Sequence, residues 1–291
     1  MIIGKLAELA LTAERMSCGL RRRHCNVGGH RWHYLEGGSA RAETLVLLHG
    51  FGADKDNWSR FARGLRRDFR ILIPDLPGFG ENACLPGQDY SMQAQAVRLH
   101  DFLQSRGVQR CHIAGSSMGG HLAAVYAQRY ASQVQSLGLY NNGGINAPVS
   151  CEMSRALQRG ENLLLVSSVA DFDRLIALVC EKTPFIPGFV RRHMARAAIA
   201  RRNCIAGIFR QYQREIYGDL ESVLGMLSLP VWVVWGKQDR VLDVSSCEVM
   251  KPLLPSAEFD IMDDTGHLPM LERPAVCARR YRDFLRRRAA A

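Results

Sequence analysis

Two kinds of run alternate along this chain. Short, continuous apolar runs occur at 44–49 (TLVLLH), 70–74 (RILIP), 111–114, 135–140 and 231–235 (VWVVW). An apolar run without alternation marks a strand buried on both faces, as in a parallel sheet covered by helices. A weaker strand is predicted near 258–262. Longer stretches with a helical period follow these runs, near 56–66, 92–105, after His121 (LAAVYAQRY), near 246–254 and at about 274–288. Residues 26–36 read as a hairpin turning at Gly28-Gly29, with Trp32 and Tyr34 alternating with His33 and Leu35. Strands alternating with helices predict an α/β fold with a mostly parallel central sheet.

The rhythm breaks after 140. From 141 to 227 the chain is helix-like, is interrupted at Pro148, Pro184 and Pro187, and has no apolar strand core. This predicts a helical cap at 141–227 inserted into an α/β core of 21–140 and 228–291. Residues 1–20 form a separate amphipathic segment. Ile2, Leu6, Leu9, Ala13 and Met16 share one helical face; Lys5, Glu8, Thr12 and Arg15 share the other. The charges and the short apolar run exclude a signal peptide or a spanning helix. Three readings stay open: the segment lies in a membrane interface with Arg21, Arg22 and Arg23 behind it, caps the domain, or pairs two subunits.

Composition narrows the class. The net charge is +10, and the excess is mostly arginine in short runs. It reads as solvated faces or as attraction to an anionic membrane; no nucleic-acid motif accompanies it. The nine cysteines are scattered without a C-x-x-C pair. They predict free, mostly buried thiols in a reducing compartment, hence a cytoplasmic protein, peripheral at the inner face of the membrane if it binds one. No zinc site or cofactor is expected.

The stretch CHIAGSSMGGH carries the chemistry. Gly115-Ser116-Ser117-Met118-Gly119 has the G-x-S-x-G spacing of a nucleophile elbow, a strand turning at once into a helix. A Cβ at Gly115 or Gly119 would clash with neighbouring backbone, and the helix N-terminus faces the serine. Ser117 is the candidate nucleophile. A serine hydroxyl needs a base, and the base needs a carboxylate to orient it. The loop after 231–235 offers Asp239, and the loop after 258–262 offers His267. Asp243, Asp263 and Asp264 are weaker rivals for the acid. Two preorganised N–H groups must hold the oxyanion; the amides of Met118 and of Phe51, in the Gly50-Phe51-Gly52 loop, are the expected pair. Their side chains are expected to line the acyl pocket. His49 is read as bracing that loop, His112 as a sheet-face residue, and His121 as structural.

These residues resemble a known family. LVLLHGFGADKDNW, PDLPGFG, GSSMGG, VWGKQDRVLD and DDTGHLPMLERP are similar to the α/β-hydrolase superfamily. Within it the nearest likeness is to bacterial lipases and monoacylglycerol lipases of the alpha/beta-hydrolase-domain type. The resemblance implies hydrolysis of fatty-acid esters of glycerol, with a lipid ester as partner. A carbon–carbon hydrolase of meta-cleavage dioxo acids would use the same triad and G-x-S-M-G-G. A non-catalytic binding protein on this fold is the third reading. Aspartate-nucleophile relatives are disfavoured by the serine at 117.

Overall fold

The computed structural model describes residues 2–216 and 219–289. Helix α1 (Ile2–Ser17) leads into the hairpin β1 (Leu20–Val27) and β2 (His30–Gly38), which turns at Gly28-Gly29 as expected. Then follow β3 (Thr44–Leu48), a 3₁₀ turn at Lys55–Trp58, α2 (Ser59–Leu65), β4 (Arg70–Pro74), α3 (Met92–Ser105), β5 (Cys111–Ser116), α4 (Met118–Arg129) and β6 (Val134–Tyr140). Helices α5 (Glu152–Gln158), α6 (Val169–Val179), α7 (Gly188–Tyr212) and α8 (Asp219–Leu224) come next. The chain closes with β7 (Val231–Gly236), α9 (Ser246–Leu253), β8 (Glu258–Met262), α10 (Pro269–Glu272) and α11 (Pro274–Ala289).

Among the described residues the strands form one eight-stranded sheet in the order β1-β2-β4-β3-β5-β6-β7-β8. The β1–β2 and β2–β4 pairs are antiparallel and the rest are parallel. The central strands β3, β5 and β7 are buried at every position, which is why their sequences do not alternate. Edge strand β1 exposes Arg21, Arg22 and Arg23. Charge at an open edge discourages pairing with another chain.

Between β6 and β7 the described residues contain helices and no strand, as the sequence predicts. Part of this insert has its own small core of Val166, Phe172 and Ala195. Helix α8, the last helix before β7, lies against α4 and α9.

Helix α1 packs on α7, α2 and β1 with an unexpected face inward. Ala7 and Arg15 are buried. The Arg15 guanidinium makes a two-pronged pair with Asp56, at 2.7 and 2.6 Å. The small Ala7 side chain allows close approach to the domain. The predicted apolar face is turned outward, with Leu6, Leu9 and Met16 exposed at 51%, 65% and 68%.

The cysteine reading needs correction. Cys84 and Cys204 form a disulfide with Cα atoms 6.1 Å apart. It joins the loop after β4 to α7, two segments 120 residues apart whose proximity no spacing rule reveals. The other seven cysteines are free; all but Cys25 are buried. A disulfide is rare in a reducing compartment, so the cysteines no longer argue for one.

Candidate active site

Strand β5 ends at Ser116 and α4 begins at Met118, so Ser117 alone makes the turn. Its backbone sits at φ 56° and ψ −122°, a conformation that side chains other than glycine avoid. Four backbone hydrogen bonds hold it there. The Ser117 N–H donates to the Tyr140 carbonyl at 2.9 Å, and the Ser117 carbonyl accepts from the N–H groups of Gly120, His121 and Gly143 at 3.0–3.1 Å. A Cβ at Gly115 would overlap the Gly119 carbonyl, and one at Gly119 would overlap the carbonyls of Leu48 and His49. Both glycines of the motif are therefore required by backbone crowding.

The loop after β3 is braced from beneath. The His49 ring accepts at Nε2 from the Leu76 N–H (3.0 Å) and donates from Nδ1 to the Gly50 carbonyl (2.8 Å). Burial holds the imidazole pKa below its usual value, so the ring is neutral. Lys55, also buried, pairs with Asp75 at 2.8 Å and Glu81 at 2.7 Å, tying this loop to the PDLPGFG loop. The Phe51 ring packs edge-on against Phe79 and Phe209. Among the described residues the Phe51 amide donates to no protein acceptor. The Met118 amide, first in α4, lacks an intrahelical acceptor by position.

The loops carrying Asp239 and His267 meet at the adjoining strand ends. The Asp239 Oδ2 accepts from the His267 Nδ1–H at 2.8 Å, and both residues are buried. The other oxygen, Oδ1, accepts from the N–H groups of Val241 (2.7 Å) and Leu242 (3.0 Å). The rivals are engaged elsewhere: Asp243 caps Ser245, Asp263 pairs with Lys237, and Asp264 with Lys182. The His267 N–H donates to the Val179 carbonyl at the end of α6. The Ser117 hydroxyl is not hydrogen-bonded to the imidazole in this state. Such contacts commonly tighten only when substrate binds.

Ser117 opens on a chamber of about 20 Å³, walled by Phe51, Met153, Leu164, Tyr212, Ile216, Val241 and Leu242. His267 does not line it. The Met118 side chain does not line it either, contrary to expectation; it is buried in the hydrophobic core. The other sequence candidates sit as follows. His112 bonds Ser136 at 2.8 Å on the sheet face. His121 is buried on α4, and desolvation pushes its pKa down to about 4.

Two neighbours escaped the sequence reading. Asn141, directly after β6, donates from Nδ2 to Asp239 Oδ2 at 2.6 Å. Glu272 accepts from the N–H groups of Gly266 (2.9 Å), Glu181 (2.9 Å) and Lys182 (2.8 Å), joining the base loop to the inserted segment. The one signal available for Asn141 was an Asn-Asn pair directly after an apolar strand.

Comparison with known proteins bears on the family and the reaction class. The sequence model described as "alpha/beta hydrolase fold" matches residues 43–274. Lipase 1 of Psychrobacter immobilis is 33% identical over 259 residues, spanning 89% of this chain and 81% of its own. Monoacylglycerol lipase abhd6-B of Xenopus laevis is 28% identical over 286 residues, spanning 93% and 84%. The crystal structure of a membrane phospholipase A, a novel bacterial virulence factor, superposes with a TM-score of 0.96 at 42% identity, covering 100% of this chain and 93% of that one. The chain belongs to the alpha/beta hydrolase fold family, on its lipase-like side, and is a carboxylic ester hydrolase.

Proposed function

We propose that this enzyme hydrolyses fatty-acid esters of glycerol through an acyl-enzyme on Ser117. His267, oriented through Nδ1 by Asp239, leaves Nε2 to take the serine proton as the hydroxyl attacks the ester carbonyl. The amides of Phe51 and Met118 receive the oxyanion. The alcohol leaves with the proton from His267. Water then attacks the acyl-enzyme with the same base, releasing the fatty acid and restoring Ser117.

The observation that carries this reading is the lining of the chamber. Apart from Ser117 and Tyr212 its walls are apolar, and no lysine or arginine takes part. That suits an acyl chain. A dioxo acid would need a cation for its carboxylate, so the carbon–carbon hydrolase reading has no support from these walls. At about 20 Å³ the chamber is too small for an acyl chain. Met153 on α5, Leu164 between α5 and α6, Tyr212 at the end of α7 and Ile216 just after it are the walls carried by the inserted segment, and walls of this group must move to admit one.

The test is a panel of glycerol esters varied in acyl length and substitution, with Ser117→Ala as blank. Turnover that Ser117→Ala abolishes supports the reading. Turnover of vinylogous diketone acids in preference to esters overturns it.

We further propose peripheral contact with an anionic membrane. Its support is the outward apolar face of α1, beside the exposed arginines of β1. No described helix is long and apolar enough to cross a membrane. Binding to anionic vesicles should weaken with salt and with Leu6→Glu plus Leu9→Glu; equal binding by that variant would refute the contact.

A further inference from the structure

Asn141 occupies the point where the nucleophile, acid and base loops meet. It follows Tyr140, whose carbonyl receives the Ser117 N–H. Its own N–H donates to the Val234 carbonyl at 2.9 Å, and the residue is fully buried. Its backbone lies at φ 43°, in the left-handed region that asparagine tolerates better than most residues. The side chain then ties the end of β7 and the loop leaving it to the loop that carries His267. Nδ2 donates to Asp239 Oδ2 at 2.6 Å and reaches the Gly266 carbonyl at 3.5 Å; Oδ1 accepts from the Gly236 N–H at 3.3 Å.

The amide can face only one way. Turned over, its oxygen would stand against a carboxylate oxygen, and its NH₂ against a backbone N–H. The bond to Asp239 falls on the same oxygen that receives the His267 Nδ1–H. A donor at that atom favours the ionised carboxylate and fixes its plane. With Val241 and Leu242 on Oδ1, the Asp239 carboxylate receives four hydrogen bonds, three of them from groups that cannot change charge near neutrality.

We propose that Asn141 is a positioning residue of the hydrolase. It aims the Asp239 carboxylate at His267 by donating to the same oxygen that receives the Nδ1–H, so that its loss disturbs the Asp239–His267 pair. This rests on the assignment of Ser117, Asp239 and His267 above. Asn141 is absent from the chamber walls and does not touch substrate.

Two variants test it. Asn141→Gly keeps a backbone suited to positive φ and removes both side-chain bonds. Asn141→Asp is nearly isosteric. While protonated, the introduced carboxyl can donate to Asp239 as the amide does; once ionised, it sets a second negative charge against Asp239. The readout is the rate at which a fluorophosphonate labels the serine, across pH, for each variant confirmed folded by its thermal transition. Asn141→Gly should label about 10²-fold more slowly, with its acid limb displaced to higher pH. Asn141→Asp should approach the wild-type rate on the acidic side and lose it as pH rises across the wild-type plateau. Profiles of wild-type shape in both variants would overturn the proposal, whatever their absolute rates. A variant that does not fold leaves the decision to the other. Failure of the wild type itself to label would instead reject the serine-hydrolase assignment on which the proposal stands.

Discussion

The Asp239 carboxylate and the His267 imidazole are hydrogen-bonded at 2.8 Å across 28 residues of sequence. Each sits on the loop that leaves the carboxyl end of its strand, and β7 and β8 are parallel neighbours with Gly236 opposite Met262. The pairing of two strands thus delivers a carboxylate to an imidazole. Asp239→Asn should keep the fold and lower kcat by about 10⁴-fold, because an amide can stabilise the wrong imidazole tautomer. Asp243→Asn and Asp263→Asn should stay within about threefold of wild type, since neither carboxylate touches His267. Steady-state ester hydrolysis decides between these outcomes.

Backbone crowding at the elbow can be tested by the sign of a stability change. In an ordinary helix, glycine to alanine gains about 1 kcal/mol. At Gly119 a methyl group would overlap two backbone carbonyls, which cannot swing aside as a side chain can. Gly119→Ala should therefore destabilise by about 2 kcal/mol or more in denaturant melts and abolish activity. Gly225→Ala, where nothing lies within 4 Å, should do neither.

Asp54 predicts a pH-dependent stability. Desolvation, aided by the charges of Asp56 and Asp75, raises its pKa from 3.8 to about 7. The folded chain then holds this proton more tightly than the unfolded chain. The resulting stability is full below pH about 4 and is lost as pH rises to about 7. Asn at this position cannot ionise and can still accept the Asp56 N–H. Asp54→Asn should therefore gain on wild type between pH 4 and 8, by about 1 kcal/mol or more, in thermal or denaturant unfolding followed at each pH. A constant difference across that range would contradict the assignment.

The Cys84–Cys204 bridge fastens α7 where polar contacts already run. Arg201 donates to the carbonyls of Gly78 (2.7 Å) and Asn82 (2.9 Å), and Gln211 bonds the backbone of Gln88 and Tyr90. Closing a 120-residue loop removes unfolded-state entropy worth about 3–5 kcal/mol. Cys204→Ser, or treatment with a dithiol, should lower the thermal midpoint while the polar contacts keep α7 seated and ester turnover measurable. An unchanged midpoint would show that the bridge adds nothing to stability.

Much of the fold and part of the site were legible in the residues. Apolar runs without alternation located β3, β4, β5 and β7, because a strand covered on both faces has no polar side to display. The elbow was equally plain: a turn this crowded requires small residues at Gly115 and Gly119, and composition records that requirement directly. Spacing after strand ends singled out Asp239 and His267, since the loops of a parallel sheet gather at one edge.

Other features depended on which surfaces met in space. Periodicity gave α1 an apolar face but could not say which way it turns. A small contact at Ala7 and the Arg15–Asp56 pair outweigh Leu6, Leu9 and Met16 in choosing the buried side. The disulfide needed α7 laid across the loop after β4, a long-range contact that local pattern does not encode. Asn141 is the sharpest case. Its role lies in hydrogen bonds to Asp239 and Gly236, groups about a hundred positions away, and only the lateral order β6-β7-β8 brings them within reach of a side chain three bonds long.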